Sequence, residues 1–485
     1  MKDNLNWEKI QNIFFVGIKG VGVAPLAVIA KEFGFNIAGS DISEEFITDE
    51  MLNEKGIKVF EDFDEEIVAD FFEGKNYDSC LVITTGAHSG YKNPQVLKAQ
   101  KMGVPYINQG QAVGIFMGGA PFKRVQEGIT VTGSHGKTTV SAMIAECLVF
   151  LGQDPSYTIG TSKIFPIGFS GHFGRGKYFI AEGDEYVGEP VFDKTPKVLY
   201  QKPKYAIINN IDFDHPDIYK NIEEIKEVML RFINGMDNNS FVFINTDDAN
   251  LRSLKGKIKG GVRVITYGQE NADFTFKNDL ESVGAVSFDV YKKNENFGGF
   301  ALSIPGLHNV KNSLAAIALL DLLGNRREKI ATAIASYKGS KRRMEFVGKT
   351  EDGAIIIDDY GHHPLEIKST IDALGKFYGK KIICVFQSHT FSRTKALLKD
   401  FSESFGKVEE LLLLPIFRSQ RDTEKDIMSL DEFTAPFIAN LENVEVFDGI
   451  EEAVSYIRKK KYADNYMILT IGAGDVYKVG YALTG

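Results

Sequence analysis

The stretch that most constrains this chain lies at residues 128–139 and reads G-I-T-V-T-G-S-H-G-K-T-T. An apolar run of strand character ends there in two glycines, and an apolar helical pattern follows directly at residues 140–150. The backbone N–H groups of such a strand–turn–helix point at a phosphate, and the helix N-terminus adds positive potential. We therefore expect Lys137 to reach the outer phosphates of a nucleotide and Thr138 to ligate Mg²⁺. The competing interpretation is a glycine-rich turn with a solvated lysine.

This motif is shorter than the common phosphate-binding loop, because Val131 stands where that loop has its first glycine. The order of two glycines, a lysine and a threonine still favours phosphate binding over a plain turn. The residues predicted to bind the nucleotide in this loop are Gly133, Ser134, His135, Gly136, Lys137, Thr138 and Thr139.

The bulk properties of the chain exclude several classes of protein. At 485 residues it is too long for one hydrophobic core, and about three domains are expected. The net charge of −9 argues against nucleic acid as a partner, since phosphate binding would favour a basic face. Three cysteines without metal or disulfide spacing indicate reduced core residues in a cytoplasmic protein. No stretch reaches about 18 apolar residues, so no membrane insertion is expected.

A second glycine turn follows the first predicted strand and reads G-I-K-G-V-G at residues 17–22. A helical pattern and another strand follow, which is the unit that places a diphosphate at a helix N-terminus. The glycine order differs from that of redox dinucleotide sites, so a nucleotide diphosphate is favoured over a redox cofactor. The predicted binding residues at these strand ends are Gly17, Gly20, Gly22, Asp41, Thr85 and Gly86.

Two acidic clusters follow strands in the segment that contains the phosphate loop. Glu182 comes directly after four mostly apolar residues, and residues 212–215 follow the next strand. Oxygen ligands of this kind suit Mg²⁺ beside nucleotide phosphates. His215 ends the second cluster, and its position alone leaves a ligand role and an ordinary hydrogen-bonding role equally open.

Polar residues also stand out further along the chain. Asn309 and Asn312 share one face of a helix, where their amides either read a base edge or, for Asn309, cap the helix. The pair Arg342-Arg343 indicates a phosphate clamp, with a solvated basic loop as the alternative. The run D-D-Y-G-H-H-P at 358–364 follows a buried strand, and such a dense polar cluster indicates a site rather than a plain loop.

With these residues in view, the chain resembles the Mur ligase family, the ATP-dependent amide-forming enzymes of peptidoglycan synthesis. The motifs that carry the resemblance span nearly the whole chain and are specific in combination. They are T-G-S-H-G-K-T-T at 132–139, A-E-G-D-E at 181–185, D-H-P-D at 214–217, H-N-V-K-N at 308–312, R-R at 342–343 and D-D-Y-G-H-H-P at 358–364.

The resemblance implies an α/β enzyme of three domains. The first, at 1–118, is Rossmann-like and holds the UDP-sugar. The second, at 119–338, is a P-loop ATPase-type parallel sheet that holds ATP, and the third, at 339–485, is Rossmann-like and holds the amino acid. The expected oligomeric state is a monomer or a weak homodimer.

The resemblance also implies roles for individual residues. Thr138 and Glu182 are expected to bind a first Mg²⁺, and His215 a second. The other expected contacts are Lys137 on the ATP phosphates, Asn309 and Asn312 at the adenine, Arg343 near the γ-phosphate, and Tyr360, His362 and Arg393 on the amino acid, with the choice between His362 and His363 open. The catalytic set is Lys137, His215, Arg343 and His362.

The implied reaction joins the muramoyl carboxylate of UDP-N-acetylmuramate to an amine through an acyl phosphate. The run F-Q-S-H-T-F-S-R-T at 386–394 is most similar to family members that add L-alanine. An apparent insertion at 192–201 is more similar to members that attach a tripeptide in murein recycling. L-alanine is favoured because the C-terminal domain selects the amine. A catalytically idle nucleotide-binding module is the alternative of another class.

Two features depart from the family pattern. Lys19 stands where the L-alanine-adding members usually have a small glycine, which affects the shape of the first glycine turn. Met229 and Leu230 occupy the region where some members have a carbamylated lysine, so no such lysine is expected here.

Overall fold

The computed structural model describes residues 5–189, 191–213, 218–418 and 427–484. It confirms the α/β class, since helices alternate with strands of mostly parallel sheets. The chain forms two compact units. The first comprises Met1–Lys277, Asp289–Phe300 and Lys311–Lys338, and the second comprises Asn278–Phe288, Ala301–Val310 and Gly339–Gly485.

The N-terminal part of the first unit is a five-stranded parallel sheet of order β3-β2-β1-β4-β5. Its strands are β1 (Asn12–Val16), β2 (Asn36–Ser40), β3 (Lys58–Phe60), β4 (Cys80–Thr84) and β5 (Tyr106–Asn108). Its helices are α1 (Ala24–Phe33), α2 (Asp49–Glu54), α3 (Glu65–Phe72), α4 (Pro94–Met102) and α5 (Gln109–Met117). Alternate residues of β1 enter two different cores, Phe15 one and Phe14 the other, so helices cover both faces as in other parallel sheets.

A ten-stranded sheet follows, of order β17-β16-β15-β14-β13-β12-β6-β9-β7-β8. Its strands, together with a separate two-stranded β10-β11 pair, are β6 (Glu127–Thr132), β7 (Ser156–Ile164), β8 (Gly168–His172), β9 (Tyr178–Gly183), β10 (Val187–Glu189), β11 (Asp193–Pro196), β12 (Tyr205–Ile208), β13 (Phe241–Asn245), β14 (Arg263–Tyr267), β15 (Phe274–Ser282), β16 (Ala285–Lys292) and β17 (Glu295–Leu302). The helices are α6 (Lys137–Phe150), α7 (Ile222–Asn234), α8 (Ala249–Leu254), α9 (Leu307–Leu322) and α10 (Arg327–Ser336). Strand β6 lies between β12 and β9 and is parallel to both.

The second unit contains a six-stranded sheet of order β18-β19-β23-β20-β21-β22, parallel except for the edge strand β18. Its strands are β18 (Glu345–Lys349), β19 (Ile355–Asp359), β20 (Lys381–Phe386), β21 (Glu410–Leu413), β22 (Val444–Val446) and β23 (Tyr466–Ile471). Its helices are α11 (Pro364–Tyr378), α12 (Phe391–Ser402), α13 (Leu430–Asn440), α14 (Ile450–Lys460) and α15 (Tyr477–Leu483).

The strand registers bring the predicted polar turns to common sheet edges. In the first sheet Val16 pairs with Ser40 and with Thr84, so three strands end side by side. In the ten-stranded sheet Thr132 pairs with Gly183 and Ile208. Ligands bind at such carboxyl edges in open α/β sheets. Within the described residues, no helix combines the length and the apolar character that a membrane crossing needs.

Candidate functional site

The phosphate loop connects β6 to α6, and its two glycines are required by the backbone. Gly133 has φ +126° and Gly136 has φ +78°, a region that L side chains rarely adopt. A Cβ added at Gly133 would lie 2.8 Å from the Asn210 carbonyl oxygen. One at Gly136 would lie 2.9 Å from Oδ1 of Asn312. Both positions therefore need glycine for conformation and for space.

Two asparagines after β12 hold the middle of this loop. The backbone N–H of His135 donates to Oδ1 of Asn210 at 2.8 Å. The His135 carbonyl oxygen accepts from the side-chain amides of Asn209 and Asn210, each at 3.2 Å. Ser134 Oγ accepts from the backbone N–H of Asp212 at 2.8 Å. Asn209 and Asn210 were not among the predicted site residues, because the sequence shows them only as a polar pair at the end of an apolar strand.

Lys137 folds over its own loop and meets a buried carboxylate. Its Nζ donates to the Gly133 carbonyl oxygen at 2.6 Å and lies 3.0 Å from Oε2 of Glu185. Burial acts to lower the pKa of Lys137, but the nearby carboxylates, Glu185 foremost and then Asp184, outweigh it, so the pKa is raised. Lys137 therefore stays charged at the centre of the loop, where nucleotide phosphates would compete with Glu185 for it.

The predicted magnesium ligands are only partly described. Glu182 pairs with Val131 in the sheet, next to the start of the loop, and its Oε1 accepts from the Gly160 N–H at 2.7 Å. Thr138 is buried in the first turn of α6, and Thr139 follows it. His215 lies outside the described residues. Among residues the structure does describe, no group of three His, Cys, Asp or Glu side chains could hold a metal.

This donor set fits Mg²⁺ in one respect. That ion commonly uses one or two protein oxygens together with substrate phosphates, rather than a cage made of protein groups alone. A hydroxyl on Thr138 and a carboxylate on Glu182, on neighbouring elements beside the phosphate loop, have the chemistry it requires.

The two predicted asparagines of α9 differ in their surroundings. Asn312 lies against the phosphate loop, as its closeness to Gly136 shows. Asn309 belongs to the second unit, where its side-chain amide donates to the Pro305 carbonyl oxygen at 2.7 Å. It lies inside α9 and not at its N-cap, so the capping alternative is wrong.

The first glycine turn is held by a buried aspartate. Asp41 accepts from the backbone N–H groups of Lys19 at 2.7 Å and Ile42 at 2.9 Å, and its Oδ1 lies 3.3 Å from Nε2 of His88. Gly17 has φ +77°, and a Cβ there would lie 2.4 Å from Cγ2 of Thr85. The structure therefore brings together three of the residues predicted to bind the UDP-sugar, Gly17, Asp41 and Thr85.

The remaining predicted residues of this turn lie close by. The Gly22 carbonyl oxygen accepts from Nε2 of Gln109 at 2.9 Å. Gly20 donates to the Gly17 carbonyl oxygen, and Gly86 follows Thr85 at the end of β4. These backbone groups form the rim of the turn ahead of α1.

Lys19 points away from this turn. Its Nζ donates to the Glu44 carbonyl oxygen at 3.0 Å and lies 3.4 Å from Oε1 of Glu61 and 3.9 Å from Oδ1 of Asp49. The side chain is only 5% exposed. Lys19 stands where a glycine is usual, and its side chain is accommodated because it leaves the turn and binds the segment after β2.

In the second unit, Arg342 and Arg343 have different environments. Arg342 is buried and donates to Oδ2 of Asp358 at 3.0 Å and to the carbonyl oxygens of Gly472 and Gly474 at 2.6 and 3.0 Å. It therefore joins the ends of β19 and β23. Arg343 is half-buried, with its guanidinium 5.1 Å from the centre of the Tyr360 ring.

The polar run after β19 is organised around Tyr360 and Glu366. The Tyr360 carbonyl oxygen lies 3.1 Å from Nδ1 of His362, and the His362 N–H donates to Oε2 of Glu366 at 3.2 Å. The ring of His363 accepts from the Leu365 N–H and so caps α11. Burial raises the pKa of Asp359 to about 6, although Arg343 acts to lower it.

Arg393 lies on the first turn of α12, after the end of β20. Its backbone N–H donates to Oγ1 of the N-cap residue Thr390 at 3.4 Å. Strands β19 and β20 both flank β23, so their polar turns share one sheet edge within the second unit. Ser388, which follows the end of β20, is buried and shares a 2.6 Å hydrogen bond with Thr394.

Comparison with family models gives three successive matches. Residues 12–120 match the model described as "Mur ligase family, catalytic domain", and residues 131–320 match the "Mur ligase middle domain". Residues 342–474 match "Mur ligase, glutamate ligase domain". Together these matches cover most of the chain.

Comparison with individual proteins agrees. The chain is 35% identical over 479 residues to a UDP-N-acetylmuramate–L-alanine ligase of Caldanaerobacter subterraneus, covering 98% of both chains. The crystal structure of the UDP-N-acetylmuramate-alanine ligase of Thermotoga maritima has a TM-score of 0.77, with 24% identity and 97% of each chain covered. A murein peptide ligase of Psychrobacter arcticus has a TM-score of 0.69, with 21% identity and 98% of each chain covered.

Proposed function

The chain belongs to the Mur ligase family, and from this premise we infer that it is a UDP-N-acetylmuramate–L-alanine ligase. It forms an amide between the muramoyl carboxylate and the amine of L-alanine, at the expense of ATP, in peptidoglycan precursor synthesis. The observation that carries the inference is the phosphate loop, where the backbone requires two glycines and Lys137, directly after the second, is held beside the carboxylate of Glu185. The choice of L-alanine is supported by relatives of that name over nearly the full length of the chain.

The chemistry explains why a phosphate loop serves amide formation. A carboxylate is a poor electrophile, so one of its oxygens first attacks the γ-phosphorus of ATP and ADP leaves. The amine then attacks the carbonyl carbon of the acyl phosphate, loses a proton and expels inorganic phosphate. The first step brings two anions together, and the positive charge of Lys137 neutralises charge on the transferring phosphoryl group.

The central site residues fit this first step. Backbone N–H groups of the loop and the α6 N-terminus bind the ATP phosphates. The side-chain amides of Asn312 and Asn309 are proposed to contact the adenine. Mg²⁺ would be held by Thr138 and Glu182, with His215 proposed as a further ligand, and when bound it neutralises phosphate charge. When ATP binds, the ammonium of Lys137 leaves the Glu185 carboxylate and pairs with the outer phosphates instead.

The other two sheets bind the UDP-sugar of that step and the amino acid of the next. The turn at residues 17–22 binds the diphosphate of the UDP-sugar, and Asp41, Thr85 and Gly86 belong to the same UDP-sugar site. Tyr360, His362 and Arg393 bind the amino-acid substrate. The guanidinium of Arg393 pairs with the carboxylate of that substrate. Arg343 is proposed to act at the γ-phosphate, because its neighbour Arg342 is committed to Asp358 and the backbone.

A panel of amine donors tests this function. Purified protein with ATP, Mg²⁺ and UDP-N-acetylmuramate is given L-alanine, glycine, L-serine or the L-alanyl-γ-D-glutamyl-diaminopimelate tripeptide, and phosphate release is measured. We expect release to depend on L-alanine and on the UDP-sugar. Tripeptide-dependent release would assign the chain to murein peptide ligation, and no amine-dependent release would indicate an idle nucleotide-binding module.

A further inference from the structure

A strap of chain connects the acidic turn after β9, formed by Asp184 and Glu185, to the first sheet. We define it as residues 187–189 and 191–200, which include β10, β11 and a 3₁₀ helix, Lys197–Tyr200. One end is anchored by Asp193, which is buried and accepts from Nδ2 of Asn108 at 3.2 Å, Nε2 of Gln111 at 3.3 Å and the Tyr200 hydroxyl at 2.6 Å. Two donors at the N-terminal end of α5 fix the strap there, and the bond from Tyr200, inside the strap, holds the carboxylate in place.

The other end is fixed to the acidic turn by backbone bonds. The N–H of Lys197 donates to the Tyr186 carbonyl oxygen, and that of Val198 to the Asp184 carbonyl oxygen, each at 2.9 Å. The stem of Lys197 packs on Gly110, where an added Cβ would lie 2.9 Å from Cγ of the lysine. The position of Lys197 is therefore set by both sheets.

The ammonium of Lys197 reaches the acidic turn beside the phosphate loop. Its Nζ lies 2.9 Å from Oδ2 of Asp184, and its side chain is 23% exposed. The next residue, Glu185, pairs with Lys137 at 3.0 Å. Two lysines, one from the loop and one from the strap, thus approach the same short run of carboxylates.

We propose that Lys197 binds the carboxylate of the UDP-sugar while that carboxylate attacks the γ-phosphorus. This inference rests on the proposed function. In this step a carboxylate oxygen forms a bond to phosphorus, the bond from phosphorus to the ADP oxygen breaks, and ADP leaves with the electron pair. No proton moves, so Lys197 keeps its proton and its charge offsets the repulsion between the two anions.

The placement of Lys197 suits this role better than a purely mechanical one. The strap is already fastened by Asp193 and by two backbone bonds, so its attachment does not depend on the ammonium. The first glycine turn, at residues 17–22, and α5 lie at the same carboxyl edge of the first sheet, since Thr84 pairs with both Val16 and Asn108. A substrate held by that edge and directed towards the phosphate loop would meet Lys197, which sits on Gly110 and faces Asp184.

Four variants separate the charge of Lys197 from its mechanical contribution. Lys197→Met removes the charge and keeps most of the stem, while Lys197→Arg keeps the charge. Lys194→Met removes an exposed lysine of the same strap and serves as the matched control. Asp193→Asn weakens the anchor of the strap and leaves the ammonium in place.

The measurements are steady-state ligation with L-alanine and, without alanine, trapping of the acyl phosphate by hydroxylamine as a hydroxamate. We expect Lys197→Met to lower kcat/KM for the UDP-sugar and hydroxamate formation by about 100-fold, with KM for ATP within about threefold. Lys197→Arg should recover at least about tenfold of that loss. Lys194→Met should match the wild type, and Asp193→Asn should lower the unfolding temperature with a kinetic loss below about tenfold.

Several results would overturn the assignment. One is unchanged hydroxamate formation in Lys197→Met of normal unfolding temperature. Another is an equal kinetic loss in Asp193→Asn, which would make Lys197 a fastener of the strap. If the wild type itself formed neither amide nor hydroxamate from the UDP-sugar, the proposed function would fail, and that outcome is distinguishable because it does not involve the variants.

Discussion

The two glycine turns of the first unit look alike in sequence but use their lysines in opposite ways. Each follows a largely buried strand, precedes a helix and includes one largely buried lysine. Lys137 curls back over its own loop, 2.6 Å from the Gly133 carbonyl oxygen, and meets Glu185. Lys19 leaves its turn and binds the Glu44 carbonyl oxygen in the segment after β2.

The two lysines differ in the groups that would lose a hydrogen-bond or ion-pair partner if the ammonium moved to a ligand. Lys137 is held mainly by groups around the loop where phosphate is expected, so phosphates can replace them as partners of the ammonium. Lys19 is itself almost fully buried and holds a separate segment, and its departure would break its hydrogen bond to the Glu44 carbonyl oxygen and its ion pairs with Asp49 and Glu61. One lysine is therefore available for a ligand, and the other is part of the scaffold.

The largest expected effect comes from Lys137→Ala. Amine-dependent phosphate release should fall by at least about 1,000-fold, because the variant loses the cation that neutralises the transferring phosphoryl group. Binding of the UDP-sugar, measured by calorimetry, should stay within about threefold of the wild type. Turnover within tenfold of the wild type would contradict the assignment of the phosphate loop.

A glycine exchange in each turn sharpens the contrast. Gly136→Ala should lower the free energy of unfolding by about 1–3 kcal/mol and raise KM for ATP, because φ is +78° and the new Cβ would lie 2.9 Å from Asn312. Gly20→Ala is the matched variant, since its Cβ would meet only the Gly17 carbonyl oxygen at 3.5 Å. Its unfolding free energy should change by less than about 0.5 kcal/mol. Equal losses in chemical denaturation would remove the distinction.

Lys19→Met tests the scaffold role. The unfolding free energy should fall by about 1–3 kcal/mol, because the Glu44 carbonyl oxygen loses its donor. With saturating substrates, kcat should stay within about threefold, while hydrogen exchange of the segment 42–49 accelerates. A loss of kcat comparable to that of Lys137→Ala, with stability unchanged, would place Lys19 on the ligand.

The smallest expected effect concerns His172. Its ring connects the C-terminal end of α1 to the segment that follows α6, the two helices that begin after the glycine turns. Its ring lies 3.0 Å from Glu32, on the last turn of α1, and 3.1 Å from Asp154, which follows α6. The hydrogen bond to Glu32 is the main cause that raises the pKa of His172. Burial acts to raise the pKa of Glu32, but the hydrogen bonds from His172 and Lys55 outweigh it and lower that pKa to about 2.

The pH dependence follows from these directions. The histidine contribution is complete below its unfolded pKa of about 6.5 and is lost as pH rises through the higher folded value. The Glu32 contribution is complete above about pH 4.5 and is lost as pH falls towards 2. His172→Gln should therefore cost up to about 1 kcal/mol near pH 5.5, a small value because the ring is about a third exposed, and almost nothing near pH 9. Denaturation curves that differ equally at both pH values would contradict the ion-pair account.

The sequence predicted the two turns because their glycines, strands and helices are local in the chain. Gly133 and Gly136 need positive φ, and that need is visible as glycine in a strand–turn–helix pattern. The partners of the loop were not visible in this way. Asn209, Asn210 and Glu185 reach it through neighbouring strands, and strand order is set by tertiary packing and not by local pattern.

Side-chain direction was the other limit. Lys19 and Lys137 both lie in short glycine-containing runs between a strand and a helix, and these runs do not show which lysine turns back over its own loop. Arg342 and Arg343 are adjacent, yet their environments differ, because the buried Arg342 binds Asp358 and a carbonyl oxygen after β23 while the guanidinium of Arg343 lies over the Tyr360 ring. The capping role of His363 likewise depends on where α11 begins. The roles of Arg343, His362 and Arg393 towards substrates stay predictions.

The central claim is that a nucleotide's terminal phosphate is passed to the sugar-borne acid before the amine replaces it. The most direct test uses UDP-N-acetylmuramate labelled with ¹⁸O in both carboxylate oxygens, together with ATP and L-alanine, and mass spectrometry of the released phosphate. The account predicts one ¹⁸O atom in each phosphate and one in each amide product. Phosphate without label, alongside amide formation, would contradict it.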